Sequence, residues 1–520
     1  MILHTALSEQ DPHPREVVEN FKTRTRFKDV AWAIKGRPDG NYLLVYLANP
    51  TERLFRALNE TLESISENNP YRERTALLRR PVSPRERLLL PETQHLRTVL
   101  SESLTVTSHS FREDFFVRYI PSLFGAEEQI IADGNHIVYG RRGSGKSSLL
   151  AYLLNTLRPQ NTPHAWVDMQ TYAGRKDSQV IIDVLLEIVQ QLSAYNPGHA
   201  EIESIKTQLN SLAKAKRDSN SQIDRVLPRT RKAIFPLTQK HERVVIFLDD
   251  LHVIDQNLQP AILAKLYSIC RGNRVFLKIS GIEQFTKNWD PSSRLGLETP
   301  HDAQVIRLDS NLTMPDKSKS HIQNILDAHA NYCGLPEVNY ICGNGVLSRL
   351  AWVAAGVPRD ALYIFTQAIV RATVKNQKKV SITSVNEAAS EMAEEKLRDI
   401  QKDISGRYDE ARTLLEEVRQ FCITAKRTNA FLVEIRNDNP KFNRIKELIA
   451  LRLLHVLHES ITPHQAGRRF MALMLDYGFY VEIRAAKSVE LFQKEPRPFQ
   501  AKELRKLPIF QLPKTKAEFV

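Results

Sequence analysis

One octapeptide constrains this chain more than any other feature. Gly140-Arg141-Arg142-Gly143-Ser144-Gly145-Lys146-Ser147 fits the spacing GxxxxGK[ST]. An apolar run, His136 to Tyr139, precedes it, and a helix-forming run, Ser147 to Leu157, follows. Strand, glycine-rich turn and helix is the context in which such a loop curls its backbone N–H groups around phosphate oxygens. The helix N-terminus adds partial positive charge to the cradle. Gly140 through Ser148 are therefore the candidate nucleotide-binding residues. Within them, Lys146 is placed to bridge the β- and γ-phosphates and Ser147 to ligate Mg²⁺. The expected cofactors are ATP and Mg²⁺.

A second signal lies a hundred residues on. Arg243 to Leu248 is an apolar strand ending in Asp249-Asp250. A carboxylate at a strand end beside the loop is where a metal-organising acid must sit. Asp249 is the candidate for the metal, through water, and Asp250 for polarising the attacking water. Asp250 is one methylene shorter than Glu, which would slow hydrolysis. The competing reading has both acids capping the next turn, near Leu251-His252. Val275 to Ile279 is a further apolar strand with Ser280 at its end. Ser280 either contacts the γ-phosphate or the lytic water, or is a plain hydroxyl at a strand terminus.

Apolar strands alternating with helices between about 106 and 310 imply a parallel sheet covered on both faces. The chain is 520 residues long, enough for three or four domains. Residues 1–105 form a separate small α+β unit of unknown role. Its Ala31–Lys35 and Tyr42–Leu47 flank a turn, Thr51–Glu67 has helical spacing, and 68–92 is a Pro- and Arg-rich linker. Residues 1–105 carry 16 basic and 14 acidic side chains, so no strong field marks a nucleic-acid surface there; an interaction role is the default. Residues 311–403 are expected to be helical, and 404–520 to mix helices with short strands, including Phe479–Ile483. In that last part Ile445 to Glu459 is apolar at helical spacing.

The net charge is +13. Residues 441–520 hold 15 Lys and Arg against 8 Asp and Glu, about half of the imbalance. Such a surplus suits DNA phosphates, or is simply a solvated basic face. No apolar run approaches the ~20 residues of a membrane span. Glu9 and Asp11 lie where a secretory leader would be basic and then apolar. Cys270, Cys333, Cys342 and Cys422 are scattered without CxxC, as expected of reduced thiols in a cytoplasmic protein without a zinc site. No guanine-reading NKxD is present, and Ser280-Gly281-Ile282-Glu283-Gln284 directly follows a strand, so neither a GTPase nor an ABC-type ATPase fits.

Taken together, Glu127-Glu128-Gln129-Ile130, the phosphate loop, Leu248-Asp249-Asp250-Leu251-His252, the strand ending at Ser280 and Gly356-Val357-Pro358-Arg359 carry a resemblance. The chain resembles AAA+ ATPases of the initiator clade. More narrowly it is similar to bacterial ATPases described as origin-recognition-complex/cell-division-control-like, a group near the STAND ATPases. The resemblance spans about residues 108–485, weakly beyond the lid. It implies a five-stranded core, a helical lid and a C-terminal winged helix. It also implies a sensor arginine at Arg359, which otherwise reads as part of a helix start. An arginine supplied to a neighbouring subunit's site is implied too, with Arg294 and Arg274 as candidates. Three functions follow: a slowly hydrolysing switch that assembles with itself or a protein partner, in a genome-defence setting; a DNA-binding initiator or loader; or a nucleotide-locked scaffold.

Overall fold

The computed structural model describes residues 11–107, 113–177, 179–214, 220–308, 312–403, 408–436, 439–462, 468–480, 493 and 495–512. The chain opens with helix α1 (Pro12–Thr25), hairpin β1 (Ala31–Arg37) and β2 (Gly40–Leu47), helix α2 (Glu52–Ser64) and strand β3 (Thr75–Arg79). Strand β3 runs parallel to β2 inside the segment expected to be a linker. It is short, at a sheet edge and ends in arginines, so its composition hid it. Phe21, Leu43, Val45, Leu54 and Leu77 form a separate core for this unit.

Helix α3 (Pro91–Glu102) buries Leu96, Val99 and Leu100 among residues of the later helices rather than in that first core. Two short helices follow, α4 (Glu113–Val117) and α5 (Ala126–Ile131). Then come β4 (His136–Tyr139), α6 (Lys146–Leu157), β5 (His164–Asp168), a three-helix insertion α7 (Gln179–Ser193), α8 (Ala200–Lys214) and α9 (Asn220–His241), β6 (Val244–Asp249), α10 (Gln259–Cys270) and β7 (Val275–Gly281). A two-residue-stranded hairpin, β8 (Trp289–Asp290) and β9 (Leu295–Gly296), leads to β10 (Gln304–Arg307).

Five of these strands make one parallel sheet in the order β10-β4-β7-β6-β5. Alternate residues face opposite sides. Ile137, Val167, Ile246, Leu248 and Ile279 pack under α7 and α10, while Val138, Trp166, Val245 and Phe247 pack under α5 and α6. This is the doubly covered α/β sheet its run-like apolar strands call for.

Helices α11 (Pro315–Tyr332), α12 (Val346–Val353), α13 (Pro358–Val374) and α14 (Ile382–Asp403) form the lid. Helix α15 (Tyr408–Arg419), β11 (Ala430–Glu434), α16 (Pro440–Ala450), β12 (Leu454–Ile461), β13 (Phe470–Leu475), α17 (Ala501–Arg505) and β14 (Ile509–Phe510) complete the described chain. The last sheet has the order β12-β13-β11-β14. The apolar stretch 445–459 is not one helix: α16 stops, Arg452 takes a left-handed conformation (φ 63°), and β12 begins. A buried apolar run lacks the alternation that would separate helix from strand. Tyr477–Phe479 is a short 3₁₀ turn, and the remainder of the strand expected over 479–483 lies largely outside the described residues. One continuous core joins α3, the lid and the C-terminal sheet. No helix among the described residues is long and apolar enough to cross a membrane. All four cysteines are buried and free.

Candidate functional site

Phosphate loops need backbone that most residues resist. Gly143 and Gly145 have φ of 77° and 95°, in the left-handed region where a Cβ is strained. The turn lets α6 start at Lys146, with its free N–H groups aimed at the loop. Lys146 is buried, and its Nζ donates to the Arg141 carbonyl at 3.3 Å. Burial pushes the Lys146 pKa down; Asp250 and Asp249 oppose that. The Ser144 hydroxyl is buried with no hydrogen-bond partner among the described residues, a donor available to an anion.

The parallel register brings the second motif to the same edge. Asp249 pairs with Asp168 across β6 and β5, and Ser280 lies at the end of the adjoining β7. Ser147 Oγ donates to Asp249 Oδ1 at 3.1 Å and Ser280 Oγ donates to the same oxygen at 2.5 Å. The Asp250 N–H donates back to Ser280 Oγ at 2.8 Å. Burial, with Asp250 beside it, pushes the Asp249 carboxyl above its ordinary range; the two hydroxyls and Lys146 pull the other way. A carboxylate so placed gains from a cation. Asp249 and Ser147 offer the hard oxygens that Mg²⁺ prefers, so the residues present fit that ion.

Asp250 adopts φ 59°, a conformation that Asp tolerates. Gln170 Nε2 donates to its Oδ2 at 3.3 Å, and His252 Nδ1 lies 3.7 Å from its Oδ1. Neither His252 ring nitrogen has a hydrogen-bond partner among the described residues. Burial pushes this imidazole down to about 4, so it is neutral near pH 7. Gln170 and His252 were missed as participants. The His252 signal was present two residues after Asp250, whereas nothing near Gln170 points to a site eighty residues away.

A cavity of about 560 Å³ opens over these groups. Residues 142–148, Asp168, Asp249, Asp250 and His252 line it. Apolar side chains also line it, among them Leu104, Val106, Phe115, Ile325 and Leu362, together with Arg118, Tyr119 and Glu127. A lining that joins a phosphate loop to apolar side chains suits a ligand with both phosphates and a flat ring. The lid supplies Arg359, whose backbone N–H donates to the Gly143 carbonyl at 3.3 Å and which lines the cavity.

Five expected residues lie outside this cavity, two of them candidates for a neighbouring copy's site. Gly140 and Arg141 do not line the cavity; the Arg141 guanidinium turns toward the lid and the C-terminal sheet. Ser280 is fully buried, its hydroxyl spent on Asp249 and the Asp250 N–H, so it acts by holding the two acids. Arg294 is exposed on the β8–β9 turn, outside this chain's cavity. Arg274 sits before the start of β7 and pairs with Asp133 at 3.0 Å. Six residues of strand separate it from Ser280, roughly 20 Å at 3.3 Å per residue.

No curated protein matches this chain. Among solved structures, it is similar to Cdc6p from Pyrobaculum aerophilum, at 15% identity and a TM-score of 0.36, covering 74% of this chain and 98% of that one. It is similar to the Aeropyrum pernix ORC1 protein solved in complex with DNA, at 14% identity and 0.39, covering 73% and 93%. It is also similar to the Thermotoga maritima RuvB Holliday junction branch migration motor, at 13% and 0.28, covering 57% and 76%. Residues 126–277, which hold the phosphate loop, both acids and most of the parallel sheet, match the family model of the AAA ATPase domain.

Proposed function

We propose that this chain binds ATP with Mg²⁺ between its parallel sheet and its lid, hydrolyses it slowly, and uses the nucleotide state as a switch for assembly with itself or a protein partner. The hydrogen-bonded set Ser147–Asp249–Ser280–Asp250 beside Lys146 carries this reading. Ser147 and Asp249 would hold Mg²⁺, whose charge offsets that on the phosphate oxygens. Lys146 and Arg359 bind the same oxygens from the loop and the lid. Asp250 orients a water, Gln170 holds Asp250, and the neutral His252 lies beside it. Attack of that water on the terminal phosphorus breaks the bond to the bridging oxygen and releases ADP and phosphate. Slow turnover is supported by the short reach of Asp250. Arg294, exposed on its hairpin, is the candidate to enter a neighbouring copy's site.

The alternative, a DNA-binding initiator or loader, would use residues 441–520 as a winged helix. The strand order β12-β13-β11 supports such a fold. Three of the basic side chains weigh against DNA: Arg444 is paired with Glu410 and Glu447, Arg468 with Glu434, and Arg452 with Asp360. The nucleotide-locked scaffold differs from the switch only in turnover.

The test is binding of fluorescent ATP with Mg²⁺ to wild type and Lys146→Ala, with particle size followed by light scattering. Loss of one charge-assisted contact, about 1.5–3 kcal/mol, predicts roughly 10- to 100-fold weaker binding by the variant. ATP-dependent growth in size is expected in wild type alone. Equal binding by both proteins would refute the site. Unchanged size with ATP would refute nucleotide-driven assembly.

A further inference from the structure

Arg141 is the second residue of the phosphate loop, and its side chain faces away from the cavity. It is buried, 8% exposed, between the lid and the C-terminal sheet. Its Nη2 donates to the carbonyl of Ala355, in the turn before α13, at 3.3 Å. Its Nη1 lies 3.2 Å from His455 Nδ1 on β12. We propose that Arg141 is a positioning residue through which the C-terminal domain sets the shape of the phosphate loop, so that nucleotide binding and the seating of that domain are one coupled equilibrium. The nucleotide half of this statement rests on the ATP-binding reading above; the coupling of loop and domain does not.

The contacts behind His455 make it a rigid anchor. His455 is buried, and its Nε2 lies 2.9 Å from Asp476 Oδ2. One neutral tautomer serves both neighbours: Nε2–H donates to the carboxylate and Nδ1 accepts from the guanidinium. Lys396 of α14 donates to the same Asp476 oxygen at 2.7 Å and lies 3.3 Å from Asp360 Oδ2. Asp360 is paired with Arg452, which precedes β12, and directly follows Arg359 in the first turn of α13. The chain of contacts thus runs from the loop through the C-terminal sheet and the lid and returns to the arginine over the cavity. Arg141, His455, Asp476, Lys396, Asp360 and Arg452 are all buried, where breaking one partner is costly because the rest are left without water.

The other end of Arg141 is its carbonyl, which holds Lys146 Nζ. One residue therefore ties the phosphate-binding lysine to the C-terminal domain. Two residues on, Gly143 is pressed against Arg359 and Val357 of the lid. Because lid and C-terminal sheet share one core, they seat on the loop as a body. Linkage then requires that whatever stabilises the loop stabilises the seat, and the reverse by the same factor.

The experiment uses the full chain. Amide hydrogen exchange is measured without nucleotide in peptides covering 140–147 and 454–456, and affinity for fluorescent ADP is measured beside it. The proteins are wild type, Arg141→Met, His455→Leu, the double variant and His455→Gln, whose amide can both accept and donate. Each single apolar variant is expected to speed exchange at both ends and to weaken ADP about 10-fold, within the range of measured allosteric couplings. The double variant should be no worse than the more severe single one, and His455→Gln should retain most of the wild-type behaviour. Should His455→Leu lose protection throughout 430–434 and 470–475, its C-terminal sheet has failed to fold, and Arg141→Met decides alone. Unchanged exchange at 454–456 in Arg141→Met, or additive effects in the double variant, overturns the coupling and leaves ATP binding standing. A wild type that binds no nucleotide, with 454–456 still loosened by Arg141→Met, overturns the ATP reading and leaves the coupling of loop and domain standing.

Discussion

Adding one methyl group at each of two glycines in the phosphate loop separates the loop's own strain from the pressure of the lid on it. Gly143 and Gly145 both have positive φ, so alanine at either costs about 1–2 kcal/mol of left-handed backbone strain. Their surroundings differ. A Cβ on Gly145 would meet nothing within 4 Å. A Cβ on Gly143 would lie 2.7 Å from Arg359 Cβ and 3.1 Å from Val357 Cγ1. The Arg359 atom is the root of the side chain, carried by α13, so relief requires the lid itself to shift. Overpacking of that kind adds about 1–3 kcal/mol. Gly145→Ala should then cost about 1–2 kcal/mol, and Gly143→Ala about 2–5. At about 2–4 °C per kcal/mol for domains of this size, Gly145→Ala lowers the thermal midpoint by a few degrees and Gly143→Ala about twice as far. The assay is thermal unfolding without nucleotide, so that lost phosphate contacts do not enter. Amide exchange at the start of α13 should rise only in Gly143→Ala. Equal midpoints, with α13 unaffected in both, would refute the seating of the lid on the loop.

Two further outcomes are expected. Burial pushes the imidazoles of His329 and His455 down to about 4, against about 6.5 in an unfolded chain. The unfolded chain therefore binds more protons below pH 6.5, and stability present above that value is lost as pH falls toward 4. From pH 7 to 5.5 each histidine accounts for about 1.2 kcal/mol. Urea midpoints of the lid and C-terminal region at the two pH values should fall accordingly, and His329→Gln should remove about half of the paired effect; an unaltered pH dependence in that variant would contradict the assignment. Asp250→Glu lengthens the reach toward water but places a residue less tolerant of φ 59° at that position. It should raise phosphate release several-fold in a steady-state assay while costing about 1 kcal/mol of stability; slower turnover would count against a reach-limited Asp250.

The readable parts of the site were those whose chemistry is local. The octapeptide 140–147 names its own backbone geometry, because glycine spacing, a lysine and a hydroxyl act within a single turn. The strand ending in Asp249-Asp250 was readable for the same reason, as an apolar run with two acids at its end. Arg359 was visible only through resemblance, since Val357-Pro358-Arg359-Asp360 is also an ordinary helix start. Strand β3 and the change from α16 to β12 were missed where apolar runs were too short or too continuous to show a period. Ser280 was left between a cavity contact and a plain strand-end hydroxyl because a strand end beside a phosphate loop faces two ways. Only its hydrogen bonds to Asp249 and Asp250 show which way its hydroxyl points.

The sequence by itself determined the phosphate-loop turn, the alternation that forces a covered parallel sheet, and the acids at the end of β6, all features set by neighbours along the chain. Tertiary structure alone decided that Ser280 turns to the acids, that His252 and Gln170 flank Asp250, that α3 belongs with the lid, and that Arg141 leaves its own loop for His455. The seating of α3 depends on apolar packing, and the turns of Ser280, Gln170 and Arg141 depend on which polar atoms find partners. Arg141 and His455 are 314 residues apart, and no pattern within a window of sequence can state that a guanidinium from one end of a domain will be the group that satisfies an imidazole buried in another.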